Sequence, residues 1–170
     1  SHLPLANQSV DVVLSIEAVS HYYDVAAFLD ECGRVLRPGG QLVISDANNG
    51  ANPRIVRSTQ ELWKRFENGP RGSWMTHQNE ETMHDRRVRF LKEEFPAMDD
   101  ACARSLADIT YGKAGDELRA LARLALARAR VPESRWRPGM CPRDPHWGYW
   151  IEWLFDPQGL SVELENRGFD

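Results

Sequence analysis

An α/β fold built on parallel strands, with a block of helices inserted after the second strand, is what this sequence predicts, and three observations predict it. Val10-Asp11-Val12-Val13-Leu14-Ser15-Ile16 is a short, almost continuous β-branched and aliphatic run, the pattern of a strand covered on both faces. Gln41-Leu42-Val43-Ile44-Ser45 is a second such run. Between them Val25, Phe28, Leu29, Cys32, Val35 and Leu36 recur at three- and four-residue intervals, which gives a helix with one apolar face. Strand, helix and strand in that order most economically form a right-handed βαβ unit in a parallel sheet.

Asp24 precedes the helix as an N-cap, and the helix is expected to reach about Arg37. Pro38-Gly39-Gly40 then stops it before the second strand. After Asp46 the pattern changes: Asn48-Asn49-Gly50 is turn chemistry, and Asn52-Pro53 joins a good cap to the favoured first helical residue. The next helix is expected from Pro53 to Asn68, with Ile55, Leu62, Trp63 and Phe66 inward and Gly69-Pro70 as its stop. Further helices are expected at Glu80 to Glu94, Asp99 to Tyr111 and Asp116 to Arg130, the last with Leu118, Leu121, Ala122, Ala125 and Ala129 as its inner face. Residues 131–155 combine helix-breaking Pro132, Pro138, Pro142 and Pro145 with a crowd of aromatics, Trp136, Trp147, Tyr149, Trp150, Trp153 and Phe155. Asp156-Pro157 opens a last short helix carrying Leu160 and Leu164, closed by Gly168. The expected organisation is therefore a strand-helix-strand piece over 1–49, a helical insertion over 50–155 as a cap on the substrate side, and a helix over 156–170 leading back to the core sheet.

At 170 residues, 42% hydrophobic and 27% charged, the composition is that of one soluble globular domain. No apolar run approaches the roughly 18 residues that cross a bilayer and no basic-then-apolar leader opens the chain, so a cytoplasmic protein is expected. Cys32, Cys102 and Cys141 are odd in number and form no CxxC, which argues for free thiols. The net charge of −4 is uneven: residues 51–150 carry eighteen basic and fourteen acidic side chains, while both flanks are acidic. Those arginines alternate with acids at helical spacing, as on a solvated, ion-paired surface, and no nucleic-acid partner is predicted. The chain opens without Met directly before a strand and stops at Gly168-Phe169-Asp170, where a strand would start, so an internal piece of a longer domain is expected.

Leu3-Pro4-Leu5, then Ser9 to Ser15, Glu17 and His21, then Phe28 to Asp46 with Arg34-Val35-Leu36-Arg37-Pro38-Gly39-Gly40 at its centre, resemble the core of class I methyltransferases, in the branch that methylates small molecules. Leu5, Val10 and Arg37 stand where that pattern has Phe, Phe and Lys. The resemblance covers about 45 residues at the front, and Phe155-Asp156-Pro157, Leu164 and Arg167-Gly168-Phe169 are similar to the helix before that fold's sixth strand. It implies a partial Rossmann-like fold holding core strands four and five, and S-adenosylmethionine as cofactor. It implies further that Leu3 lies near the adenine and that Ser15 to Glu17 run beside the methionine part. The family's Gly-rich turn and its ribose-binding acid have no counterpart in this sequence.

In open α/β sheets the ligand sits beyond the carboxyl ends of the strands, which makes Ser15, Ile16, Glu17 and Ala18 the candidate cofactor-binding residues. Glu17 either holds a cofactor amino group or begins the loop as a solvated acid. His21, in the loop that follows, is the candidate general base; the alternative is a packing or loop-bonding role. Tyr22, Tyr23 and Asp46 are candidates for the substrate side, against staple and turn-cap roles. Trp147 and Trp150 are candidates for an aromatic lid over the acceptor, against packing beneath the insertion. Cys141, Asp144 and His146 have metal-ligand chemistry but fit no familiar spacing, so no metal is predicted.

The expected function is methyl transfer from S-adenosylmethionine to oxygen, nitrogen or carbon of a small organic acceptor. One rival is a non-catalytic relative acting through the helical insertion. Another is a nicotinamide-dependent oxidoreductase, disfavoured because Pro38-Gly39-Gly40 lies between helix and strand and not at the strand-to-helix turn where a dinucleotide's phosphates bind.

Overall fold

The computed structural model describes residues 3–69 and 81–170, and the chain forms two compact units: Ser1–Val56 with Glu152–Asp170, and Arg57–Ile151. In the first unit β1 (Val10–Ile16) and β2 (Leu36–Ser45) pair in parallel, with Val12 opposite Gln41, Leu14 opposite Val43 and Ile16 opposite Ser45. The helix between them, α1 (Val25–Val35), starts at Asp24, whose carboxylate accepts the Ala27 amide at 2.9 Å. Its Leu29, Cys32 and Val35 are buried. β1 is covered on one face only, whereas its composition predicts cover on both: Val12, Leu14 and Ile16 are 48, 63 and 62% exposed.

The helix also stops earlier than predicted. Leu36 is already extended (φ −67°, ψ 138°), because Arg37 precedes Pro38 and the proline ring disfavours helical geometry there. Pro38-Gly39-Gly40 thus serves a different purpose, bulging out of β2 between the Val10–Leu36 and Val12–Gln41 pairs. Gly39 takes φ +78°, and a Cβ on Gly40 would stand 2.9 Å from the Arg37 carbonyl oxygen and 3.0 Å from that of Asp11. Backbone atoms cannot step aside as side chains do, so Gly40→Ala is expected to lower stability by about 1–3 kcal/mol in urea unfolding.

The second unit is helical. α2 (Pro53–Asn68) begins in the first unit as predicted, with Asn52 accepting the Arg54 amide, and continues into the second. α3 (Met83–Glu94), α4 (Asp100–Asp108) and α5 (Gly115–Leu126) follow. Phe90, Leu91, Met98, Ala103, Leu106, Ala107, Leu118 and Ala122 form their common core. Each of these helices is shorter than its apolar period suggests. Thr82 caps α3 by accepting the Asp85 amide, which sets the start at Met83; the predicted Glu80 and Pro70 lie outside the described residues. α4 yields before Tyr111 because the Tyr111 amide turns to the Ser134 carbonyl at 2.8 Å. α5 ends before Arg130 because Arg128 adopts φ +55° and the Ala129 amide closes on the Leu124 carbonyl. α6 (Pro157–Glu165), capped by Asp156, belongs to the first unit.

Burial and, secondarily, the neighbouring Glu31 push the Cys32 thiol up to about 11. A thiol that ionises later in the folded chain than in the unfolded one contributes stability below the unfolded value and loses it as pH rises towards 11. Cys32 is therefore expected to resist thiol-labelling reagents at pH 8 until the chain is unfolded, while the half-buried Cys102 and Cys141 react first.

Candidate functional site

The carboxyl edge of the two strands is where the predicted residues gather. The Glu17 amide donates to the Ser45 carbonyl at 2.7 Å, so the sheet ends on a closed rung, and Glu17 itself takes the left-handed conformation at φ +48°. Such a geometry costs a non-glycine residue roughly 1–3 kcal/mol and persists where surrounding structure enforces it. It turns the chain out of β1 with the Glu17 carboxylate exposed beside the exposed Ile16. Ser15 is only 3% exposed, and its hydroxyl lies 3.4 Å from that of Tyr22. Tyr22 packs on Phe28 with ring centroids 4.7 Å apart, which ties the loop to the first turn of α1.

Val19–His21 make a single 3₁₀ turn that leaves His21 exposed, half-buried Ala18 preceding it, and Tyr23 68% exposed beyond it. Asp46 faces this turn from the end of β2. One of its carboxylate oxygens accepts the Ser20 amide at 3.0 Å and the other accepts the Asn48 amide at 3.1 Å. A third segment joins them: the Trp153 amide donates to the Ser20 carbonyl at 3.0 Å, the Phe155 amide to the Asn48 carbonyl at 3.2 Å, and the Gly50 amide to the Phe155 carbonyl at 2.8 Å.

Ser15, Ile16, Glu17, Ala18, His21, Tyr22 and Asp46 are thus brought together. Leu3 is anchored elsewhere, its amide on Glu31 at 2.7 Å and its carbonyl on Arg34 at 3.3 Å, in the second half of α1. The Glu31 hydrogen bond raises the Arg34 guanidinium above its ordinary value, which keeps that anchor charged. Trp147 and Trp150 belong to the helical unit. Trp150 packs under the Arg143 guanidinium, 5.5 Å from its ring centre, and Trp147 is 79% exposed on a turn closed by Asp144. Sequence reasoning missed Ser20, Asn48 and Trp153. The signal for Trp153 and Phe155 was their place immediately before the Asp156-Pro157 helix start, which forces that stretch back to the sheet.

A family profile described as methyltransferase domain matches residues 1–44, the stretch that builds β1, α1 and nearly all of β2. Over that stretch the chain is similar to the class I S-adenosylmethionine-dependent methyltransferases. Among curated relatives of this chain, a probable S-adenosylmethionine-dependent methyltransferase of Mycolicibacterium smegmatis is 48% identical over 48 residues, 28% of this chain and 19% of the relative. A ubiquinone biosynthesis O-methyltransferase of Bradyrhizobium is 53% identical over 38 residues, 22% of this chain and 15% of the relative. The uncharacterised Escherichia coli protein YafE is 32% identical over 87 residues, 46% of this chain and 40% of its own length. The aligned part of this chain thus spans between about a seventh and two fifths of these relatives. No solved structure matches.

The cofactor named for the Mycolicibacterium smegmatis relative is S-adenosylmethionine. The residues at the carboxyl edge suit one flank of it: Glu17 offers an exposed anion for an ammonium, and Ile16 an apolar surface. The adjacent Asn48 is 5% exposed and its side-chain amide nitrogen has no acceptor among the described residues, a donor left at the same edge.

Proposed function

We propose that this protein transfers a methyl group from S-adenosylmethionine to a small organic acceptor, at oxygen, nitrogen or carbon. The observation that carries the reading is the parallel pair whose open carboxyl edge ends on the left-handed, exposed Glu17. When bound, the cofactor supplies an electrophilic methyl group on a sulfonium. The part of this chain is to orient and shield. Glu17 holds the ammonium of the methionine portion, Ser15 and Tyr22 fix the floor of the loop, and His21 stands in the same turn to take a proton from an acceptor hydroxyl or amine. Tyr23, exposed just beyond the same turn, is the aromatic side chain offered to the acceptor. That one relative is named as a ubiquinone-pathway O-methyltransferase supports a small-molecule acceptor here.

The nicotinamide alternative has less support, because Pro38-Gly39-Gly40 lies within β2, after α1, and not at a strand-to-helix turn where a dinucleotide's phosphates bind. An action through the helical unit alone leaves the strained Glu17 unexplained. No helix among the described residues is long and apolar enough to cross a membrane.

Calorimetric titration with S-adenosylmethionine tests the proposal, and absence of binding with uptake of a nicotinamide cofactor instead would overturn it. Glu17→Gln is expected to weaken S-adenosylmethionine binding about ten- to hundredfold, the ~1.5–3 kcal/mol of a hydrogen bond to a charged group. Glu17→Gly removes the same carboxylate while relieving the backbone, so it should bind as weakly as Glu17→Gln and yet unfold at a higher temperature than it.

A further inference from the structure

We propose that Asp46 is a positioning residue which locks the Glu17–His21 turn to the 46–50 turn and so fixes the cofactor-facing edge. The 3₁₀ turn Val19–His21 receives no side-chain cap from the residue before it. Its cap comes from 26 residues away, where Asp46 accepts the Ser20 amide. The second oxygen of the same carboxylate accepts the Asn48 amide, so one side chain closes both loops that leave the carboxyl ends of the paired strands. Both amides sit in residues shielded from water, Ser20 at 1% and Asn48 at 5% exposure, where a lost acceptor is not replaced by solvent.

Two further features show that this joint governs placement as well as local folding. Ser20 also receives the Trp153 amide and Asn48 the Phe155 amide, so moving either loop moves the third segment too. The left-handed Glu17 stands three residues before Ser20, anchored on one side by the Ser45 carbonyl and on the other by this bond. A carboxylate is needed, because only an acceptor at both positions serves two donors. Asparagine retains one acceptor and points a donor at the second amide.

The placing of Glu17 and His21 matters for methyl transfer only if the proposed function holds, so the test separates the two. Wild type, Asp46→Asn and Asp46→Ala of the full chain are compared by S-adenosylmethionine titration, thermal unfolding and amide hydrogen exchange. For Asp46→Ala the expected result is a tenfold or greater loss of affinity, with faster exchange at Ser20 and Asn48 and unchanged protection at Leu118 in the helical unit. Asp46→Asn is expected to fall between it and wild type in affinity and in exchange at Ser20 and Asn48, with protection at Leu118 again unchanged, a local pattern that general destabilisation would not produce. Wild-type affinity in Asp46→Ala, or unchanged exchange at both amides, overturns the assignment. If wild type itself fails to bind, the proposed function falls, and the brace is judged by exchange at Ser20 and Asn48 alone.

Discussion

Glu67→Ala is expected to destabilise the helical unit by about 3–5 kcal/mol in urea or guanidinium unfolding, a loss large enough to remove most of the stability of a small unit. Glu67 on α2 and Arg87 on α3 are 1 and 2% exposed and form an ion pair with both guanidinium ends engaged, the Arg87 Nη1 contact to Glu67 Oε2 measuring 3.4 Å. Arg87 Nε also donates to the Ala107 carbonyl at 3.3 Å, and its guanidinium carbon lies 5.9 Å from the centre of the Tyr111 ring. Burial, with Glu67 the next contributor, pushes the Tyr111 phenol well above its ordinary value. Alanine at Glu67 leaves a guanidinium in that environment with one backbone acceptor. The cost comes from the stranded charge more than from the lost attraction, so the double replacement Glu67→Met with Arg87→Leu is expected to recover most of it. A double replacement as unstable as the single one would show that packing, not charge, is at issue.

Asp144→Ala is expected to cost a similar amount, about 3–5 kcal/mol, and to act on a different part of the same unit. Asp144 is fully buried; one carboxylate oxygen accepts the His146 and Trp147 amides at 2.9 and 2.8 Å, and Arg86 Nη1 stands 2.7 Å from the other. The Asp144 backbone meanwhile pairs with Tyr149 and Gly148. Removing the side chain leaves two amides without an acceptor and a mostly buried arginine without its counter-ion. Asp144→Asn keeps the shape and one acceptor but not the charge, and should fall between wild type and Asp144→Ala. Near-UV circular dichroism provides a local check, since the turn that holds Trp147 should lose its fixed geometry before the unit unfolds. Because Arg86 and Arg87 are neighbours on α3, the Glu67 and Asp144 variants are not expected to be additive.

The sequence announced the strand-helix-strand piece closely, because its signals are local. Val10–Ile16 is a run of strand formers, Asp24 an evident cap, and Asn52-Pro53 an evident start. α2 was legible in both bounds, while α3, α4 and α5 were legible in kind but not in length, since their ends were decided by local caps and by partners distant in sequence, such as Ser134 for the end of α4. Glu67 left a trace that apolar periodicity ignores: it follows Thr59 and Trp63 at intervals of four, on the buried face of α2. At the carboxyl edge, Ser15 to Ala18 could be placed from the rule that ligands lie beyond strand ends. Asp46 was visible as a turn residue. Its grip on Ser20 was not, because a carboxylate bonding backbone amides from two loops leaves no pattern in either loop's side chains.

The chain departs for the helical unit just after Gly50 and returns through Phe155, and these two points are bonded to each other. An excursion whose exit and entrance touch imposes almost no tension on the body it leaves, and lengthening or shortening it adds little closure entropy. The strand-helix-strand piece therefore tolerates changes in the length of what leaves at Gly50 and returns at Phe155, because its own hydrogen bonds close that opening.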